Sequence, residues 1–163
     1  MALEIAIALW LVPEGEAASY FRETIARLAH QYDGPVFAPH LTLGLVPATL
    51  LDHINAAPLE LAIVGLDCSI RFTKTLFVRF ALSPALAQLR ESLGMDAADY
   101  DPHLSLLYAK MPMAQKNLLR DTLPRFPFTH VRFAAAEAVR CSLPVATAAD
   151  VAAWKTVARR PLG

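Results

Sequence analysis

The apolar positions fall into short runs of two periods. From Glu4 to Val12, Ile5, Ile7, Leu9 and Leu11 share one face of an extended chain. Ala6, Ala8 and Trp10 share the other, so the segment is predicted to be a buried strand. The period then changes. Ala17, Phe21, Ile25 and Leu28 recur at helical spacing between Glu14 and Gln31, and Tyr32-Asp33-Gly34-Pro35 breaks the pattern. His40–Val46 is the next strand, followed by a short helix near 48–56. Leu59–Thr73 is extended with a turn near Gly65-Leu66-Asp67, and Lys74–Leu82 is a strand. Ser83-Pro84 opens a helix that buries Leu86, Leu89 and Leu93 and stops at Gly94. A polar loop leads to a strand at His103–Ala109, a helix at Pro112–Leu123 and at least one strand within His130–Leu143. The tail, Asp150–Arg160, suits helix or strand.

Interleaved helices and neighbouring strands make the class α+β. No linker is long or polar enough to separate two independent units, so residues 1–163 form one domain. Hydrophobic residues are 55% of the chain, enough for a substantial core, and charged residues only 18%, which argues against disorder. The formal net charge is zero, from 15 basic and 15 acidic residues. A grip on long nucleic acid needs many uncompensated cations and is not expected; a small nucleotide needs only a local site. The opening MALEIAIALWLV carries Glu4 and has no basic stretch before its apolar run, so it suits a strand better than a signal peptide. No apolar run reaches the ~18 residues of a membrane helix. Cys68 and Cys141 form no C-x-x-C motif, which fits a reducing compartment, and the expected place is the cytoplasm. No membrane contact is expected, and the chain is expected to act as a monomer.

One pentapeptide occurs twice. Pro39-His40-Leu41-Thr42-Leu43 returns as Pro102-His103-Leu104-Ser105-Leu106. Each copy opens an apolar strand and has a helix further back, as in a duplicated unit. Residues i and i+2 of a strand share a face, so each copy sets an imidazole beside a hydroxyl and turns its leucines, including Leu45, to the core. Two such strands about a pseudo-two-fold axis would surround one cleft with two imidazoles and two hydroxyls. An imidazole titrates near neutral pH, so one can accept a proton while the other donates one. A hydroxyl can donate to a phosphate oxygen. A single H-x-T on a strand says little, but a purely structural duplication need not keep both the histidine and the hydroxyl. His40 and His103 are therefore the candidate catalytic pair, with Thr42 and Ser105 beside them.

At these residues the chain resembles the two-histidine (2H) phosphoesterase superfamily, with its pair of H-x-[ST]-x motifs. More narrowly it is similar to the plant and yeast type of cyclic phosphodiesterase. Trp10-Leu11-Val12-Pro13, Gly34-Pro35-Val36-Phe37-Ala38-Pro39-His40 and Pro102-His103-Leu104-Ser105-Leu106-Leu107-Tyr108 carry the likeness. The resemblance implies a bilobal fold, with two pseudo-symmetric antiparallel sheets facing a central cleft and helices outside. It implies hydrolysis, without metal or other cofactor, of a nucleoside 2′,3′-cyclic phosphate or of ADP-ribose 1″,2″-cyclic phosphate to a phosphomonoester. His40 and His103 would be the acid/base pair, in an order the sequence leaves open, and Thr42 and Ser105 would hold phosphate oxygens. Tyr108 matches a tyrosine near that family's cleft, although alternation puts it opposite His103; it is a cleft residue or a core one. Trp10 either borders the cleft and stacks on a base or is core. Phe77 shares a face with Thr75 and Arg79 and is either an aromatic wall for substrate or a packing residue.

His30, His53 and His130 lie in no matching context and are expected to be surface or structural residues. Arg71, Lys74 and Arg79 suit either a diphosphate or a solvated charged face. Other readings are an RNA-end 2′,3′-cyclic phosphodiesterase or 2′–5′ ligase-like enzyme, a histidine-based metalloenzyme, and a non-catalytic nucleotide-binding protein. No H-E-x-x-H or H-x-H-x-D cluster supports the metalloenzyme.

Overall fold

The computed structural model of the chain describes residues 4–163. Of the apolar opening, the first three residues lie outside that range, and β1 (Glu4–Pro13) follows. Next comes α1 (Gly15–Tyr32), which buries Ala17, Phe21, Ile25 and Leu28 against the strands. It ends at Asp33, whose φ of 54° is left-handed and whose N–H reaches the Ala29 carbonyl. Then follow β2 (Leu41–Leu45), a 3₁₀ turn at Ala48–His53, β3 (Leu59–Cys68), a second 3₁₀ turn at Phe72–Lys74 and β4 (Leu76–Phe80). After α2 (Pro84–Ser92) come β5 (His103–Leu107), α3 (Met113–Thr122) and β6 (His130–Leu143). The Ser83 hydroxyl accepts from the Leu86 amide, the cap that the Ser-Pro pair predicted. The tail holds both elements: α4 (Ala148–Ala152) and β7 (Lys155–Pro161). No helix among the described residues is long and apolar enough to cross a membrane.

The class is α+β, as expected. All strand pairs are antiparallel, in the order β1-β2-β5-β4-β3-β6-β7, and β1 also pairs with β6. The first six strands therefore close a ring. Two separate sheets were expected; the hydrogen bonding joins one seven-stranded sheet instead. The 14-residue β6 is long enough to serve both halves. One of its edges pairs with β3 through His130–Phe133 and with β7 through Ala135–Arg140, and the other pairs with β1. The remaining junction is narrow: β2 meets β5 through the single register pair Leu41↔Leu104.

Two local expectations change. β3 runs unbroken through Gly65, and an irregularity in its pairing with β4 between Ile63 and Gly65 takes the place of a turn. The chain turns later, at 69–74. Leu45 is also not a core residue: it is 54% exposed. The β1–β2 register runs Trp10↔Thr42 but Leu9↔Gly44 and Ala8↔Leu45, so a bulge near Gly44 reverses the alternation. Leu45 thereby joins the face that carries Thr42.

Gly34 seats the loop leading to His40. A Cβ there would come within 2.6 Å of the Tyr108 carbonyl oxygen and 3.3 Å of Leu107 Cδ1. The loop before one histidine thus lies directly on the strand end after the other. The obstructing atom is backbone, so Gly34→Ala is expected to destabilise the fold by about 1–3 kcal/mol. A urea midpoint equal to that of the parent would show that this contact is loose.

Candidate active site

His40 and His103 line one cavity of about 240 Å³ together with Thr42, Tyr108, Trp10 and Trp154. The junction explains their meeting. Leu41 and Leu104 each follow a histidine, are fully buried and are paired. Continuing that antiparallel register one residue each way sets His40 opposite Ser105 and Thr42 opposite His103, all on the face away from the leucines.

The two rings are held alike. His40 Nδ1 lies 2.7 Å from the Ala38 carbonyl oxygen, and His103 Nδ1 lies 2.9 Å from that of Asp101. In each case the acceptor is two residues back, across a proline that has no N–H of its own to offer. A carbonyl only accepts, so Nδ1 carries the hydrogen and Nε2 keeps its lone pair. Neither Nε2 has a protein partner among the described residues. Among the described residues Trp154 Nε1 alone is a sealed, unpartnered side-chain polar atom, so both Nε2 atoms have access to the cavity.

Their surroundings differ. Burial, opposed by the Ala38 hydrogen bond and assisted by the His103 charge, lowers the His40 pKa from 6.5 to about 4. His103 is also lowered, chiefly by burial, with the Asp101 carbonyl bond working against it. Lys74 and Arg79 lower it further, while the Asp101 charge raises it. His40 sits in an aromatic wall. Trp10 stacks flat on it, centroids 3.6 Å apart and planes 12° apart, and Trp154 stands edge-on at 5.7 Å. Trp10 therefore does border the cleft, but one of its faces is taken by the imidazole rather than left for a base.

Tyr108 lies just past the end of β5 and lines the cavity, stacked on Phe37 at 4.0 Å. Burial pushes its phenol pKa up. Phe77 is fully buried and absent from the cavity wall; its ring meets His103 at 5.4 Å in an edge-on packing, with the Lys74 amine 4.7 Å above it. Ser105 is buried and its hydroxyl donates to the Thr73 carbonyl at 2.8 Å, which fixes the loop that forms the cavity's lip. Thr42 is on the wall; Ser105 is beneath it.

That lip supplies residues the sequence pattern did not single out as a group: Arg71, Thr73 and Lys74. Among the described residues, no Asp or Glu lines the cavity. Of the three cations considered for an anion, Arg79 is engaged by Asp67 at 2.9 Å and by Asp101 at 2.9 Å. Lys74 lines the cavity while paired to Asp101 at 3.1 Å. Arg71 lines it, exposed, with no carboxylate partner among the described residues. Trp154, on the opposite wall, was hidden by the ambiguous period of the tail. His30, His53 and His130 are exposed, away from the site.

These features define an α+β fold that carries its paired H-x-[ST] strands across one cleft. Comparisons with family models and with curated proteins find no match. Solved structures do match. E. coli LigT complexed with ATP aligns over 96% of both chains, with 19% identity and a TM-score of 0.58. E. coli LigT complexed with 3′-AMP aligns over 97% of this chain and 98% of its own, with 17% identity and a TM-score of 0.56. A structure described as a phosphoesterase aligns over 96% of this chain and 97% of its own, with 17% identity and a TM-score of 0.58. The fold of this chain is the LigT fold over nearly its whole length.

The depressed His40 pKa has a consequence for stability. Above pH 6.5 the ring is neutral folded or unfolded and contributes nothing. Between 6.5 and about 4 the unfolded chain takes up a proton that the folded chain refuses. Stability then falls with pH by up to ~1.4 kcal/mol per unit, ~3 kcal/mol in all. In His40→Gln the loss of stability between pH 7 and 4.5 should be smaller by about one proton's slope. Parallel curves for parent and variant, from denaturant titrations, would contradict a buried neutral His40.

Proposed function

We infer that this chain is a two-histidine phosphoesterase that hydrolyses a nucleotide-derived cyclic phosphate to a phosphomonoester by general acid/base catalysis, without metal. The observation that supports it most is the matched hold on the two imidazoles: each Nδ1 is committed to a carbonyl and each Nε2 opens on the same cavity. The Leu41↔Leu104 junction between the two histidine strands and the LigT fold agree with this reading.

His40 suits the base. It is the more strongly neutral ring, and its Nε2 lone pair can take a proton from water as the water oxygen attacks phosphorus. His103 suits the acid. It lies beside the cationic lip, and an anionic phosphate bound there would counter the effect of Lys74 and Arg79 and raise its pKa. As the phosphorus–oxygen ester bond of the ring breaks, His103 Nε2 gives its proton to the departing ribose oxygen. One proton is taken and one given, so the pair resets by exchange with solvent. Thr42, Lys74 and Arg71 would bind phosphate oxygens; Ser105 would act by holding Thr73. The opposite wall of Trp10, Trp154, Leu143 and Val145 is apolar and suits a sugar and base. The substrate class is thus a small nucleoside cyclic phosphate, either a 2′,3′-cyclic one or the 1″,2″-cyclic phosphate of ADP-ribose.

The test is turnover in EDTA of the four nucleoside 2′,3′-cyclic phosphates and ADP-ribose 1″,2″-cyclic phosphate, with products read by phosphorus NMR. One regioisomer should form, and His40→Ala and His103→Ala should each lose at least roughly 10²-fold in kcat. The pH–rate profile should be a bell whose limbs belong to the coupled pair. A near-parental rate in either variant would end the assignment. Turnover only of an RNA ending in a 2′,3′-cyclic phosphate would move the substrate to an RNA end.

A further inference from the structure

The two imidazoles make the same hydrogen bond, but the carbonyls that receive it are secured differently. Ala38 has only a methyl side chain, with no polar group to anchor it, and His40 is instead clamped by the Trp10 ring. No indole lies on His103. Its acceptor belongs to Asp101, and the Asp101 carboxylate accepts three side-chain hydrogen bonds from two cations. Arg79 Nε donates to Oδ1 at 2.9 Å, Arg79 Nη2 donates to Oδ2 at 3.1 Å, and Lys74 Nζ donates to Oδ2 at 3.1 Å. The two arginine bonds form a fork, which fixes orientation as well as distance. Arg79 is itself held from the other side, where Nη1 donates to Asp67 at 2.9 Å.

Position adds meaning to this contact. Arg79 is the register partner of His103 across β4 and β5. The arginine therefore reaches round from the neighbouring strand to grip the residue two before its own partner. The pair is partly exposed, so as an isolated surface ion pair it would contribute little to stability. Its geometry is more informative than its strength, because a fixed Asp101 side chain restrains the peptide whose carbonyl sets the His103 tautomer.

We propose that Arg79 and Asp101 are positioning residues of the active site: the fork fixes the Asp101 carbonyl, which keeps the hydrogen of His103 on Nδ1 and its Nε2 aimed into the cavity. The charged and titratable groups around His103 bear on this arrangement: Lys74 from the lip, Asp101 from the preceding loop, Arg79 from β4, the neutral His40 across the cleft and Arg71 on the wall of the same cavity. The first three form one linked cluster, so loss of the fork alters the orientation of the ring and the charge balance around it together. The inference rests on the acid role given to His103, but its structural content can be read without turnover.

The experiment is nitrogen NMR of the imidazoles in ¹⁵N-labelled protein at pH 8, where both rings are neutral. The parent should show both histidines as Nδ1–H tautomers. In Arg79→Gln, and equally in Asp101→Asn, His103 should acquire a population with the hydrogen on Nε2 while His40 stays unchanged. The double variant should be no worse than either single one, since both changes remove the same fork. On the best cyclic phosphate, kcat should fall on the order of ten- to a hundredfold, with KM within about twofold. The pH–rate limb assigned to His103 should shift. Arg79→Lys keeps the charge but not the fork and should resemble Arg79→Gln, which also covers a Gln variant that does not fold. A His103 signal unmoved in all of these variants overturns the proposal. Absence of turnover in the parent would count against the cyclic phosphodiesterase, and the tautomer result would still decide the positioning role.

Discussion

The site depends on one backbone pairing. Leu41 and Leu104 sit opposite each other where β2 and β5 touch, and theirs is the single register pair between those strands. Each leucine is the residue after a histidine, and each is fully buried. Burial fixes which face the leucines take, and alternation then leaves the histidines no choice but the other face. A slip of one residue in either strand would send an imidazole into the core. The leucines of the repeated pentapeptide are thus as much a part of the candidate site as its histidines. The long β6 closes the ring from the other side, joining β3 and β1 across its two edges, so the two halves cannot separate without breaking that strand's pairing.

Around this junction two chemically equal groups acquire unequal environments. His40 is enclosed by aromatic rings, where a positive charge is poorly solvated, and it is held neutral. His103 lies at the edge of a charged cluster, where a change in ligand charge can alter its protonation. Duplication supplies two copies of one device, a Pro-His pair whose ring bonds back to the carbonyl before the proline. What makes the two copies differ is what each packs against: Trp10 and Trp154 on one side, Lys74, Arg79 and Asp101 on the other.

The parts of this arrangement that were legible in the sequence are those governed by local period. The strands at β1, β2 and β5 and the helices α1 and α2 follow from spacing and capping signals, and the repeated pentapeptide identifies both histidines. The parts that were hidden depend on register. Leu45 looks like a core residue by alternation and is not, because the bulge near Gly44 shifts the count by one. Phe77 shares a polar-looking face with Arg79, yet that face is covered by the lip and by His103, which no local pattern reveals. Ser105 matches Thr42 in type and spacing but meets the Thr73 carbonyl, 32 residues away in sequence. Trp154 escaped notice because its segment splits between a short helix and a strand, each too brief to impose a period. The ring closure through β6 was invisible for a similar reason: a 14-residue strand does not announce that its two ends will have different neighbours.

The charge distribution completes the argument about what such a site can select. The chain as a whole is neutral, so it generates no strong long-range field to draw in a polyanion. The cations that matter are concentrated at the lip, where Arg71 and Lys74 line a cavity that has no carboxylate in its wall. Attraction is therefore short-ranged and begins only when an anion is already at the mouth. The opposite wall offers indole and aliphatic surface. A ligand must then be anionic at one end and apolar at the other, over a span that a cavity of about 240 Å³ can hold. On the proposed function, that requirement favours a single nucleotide over a long strand. The selection comes from contact at close range, where the placement of each imidazole nitrogen also decides the chemistry.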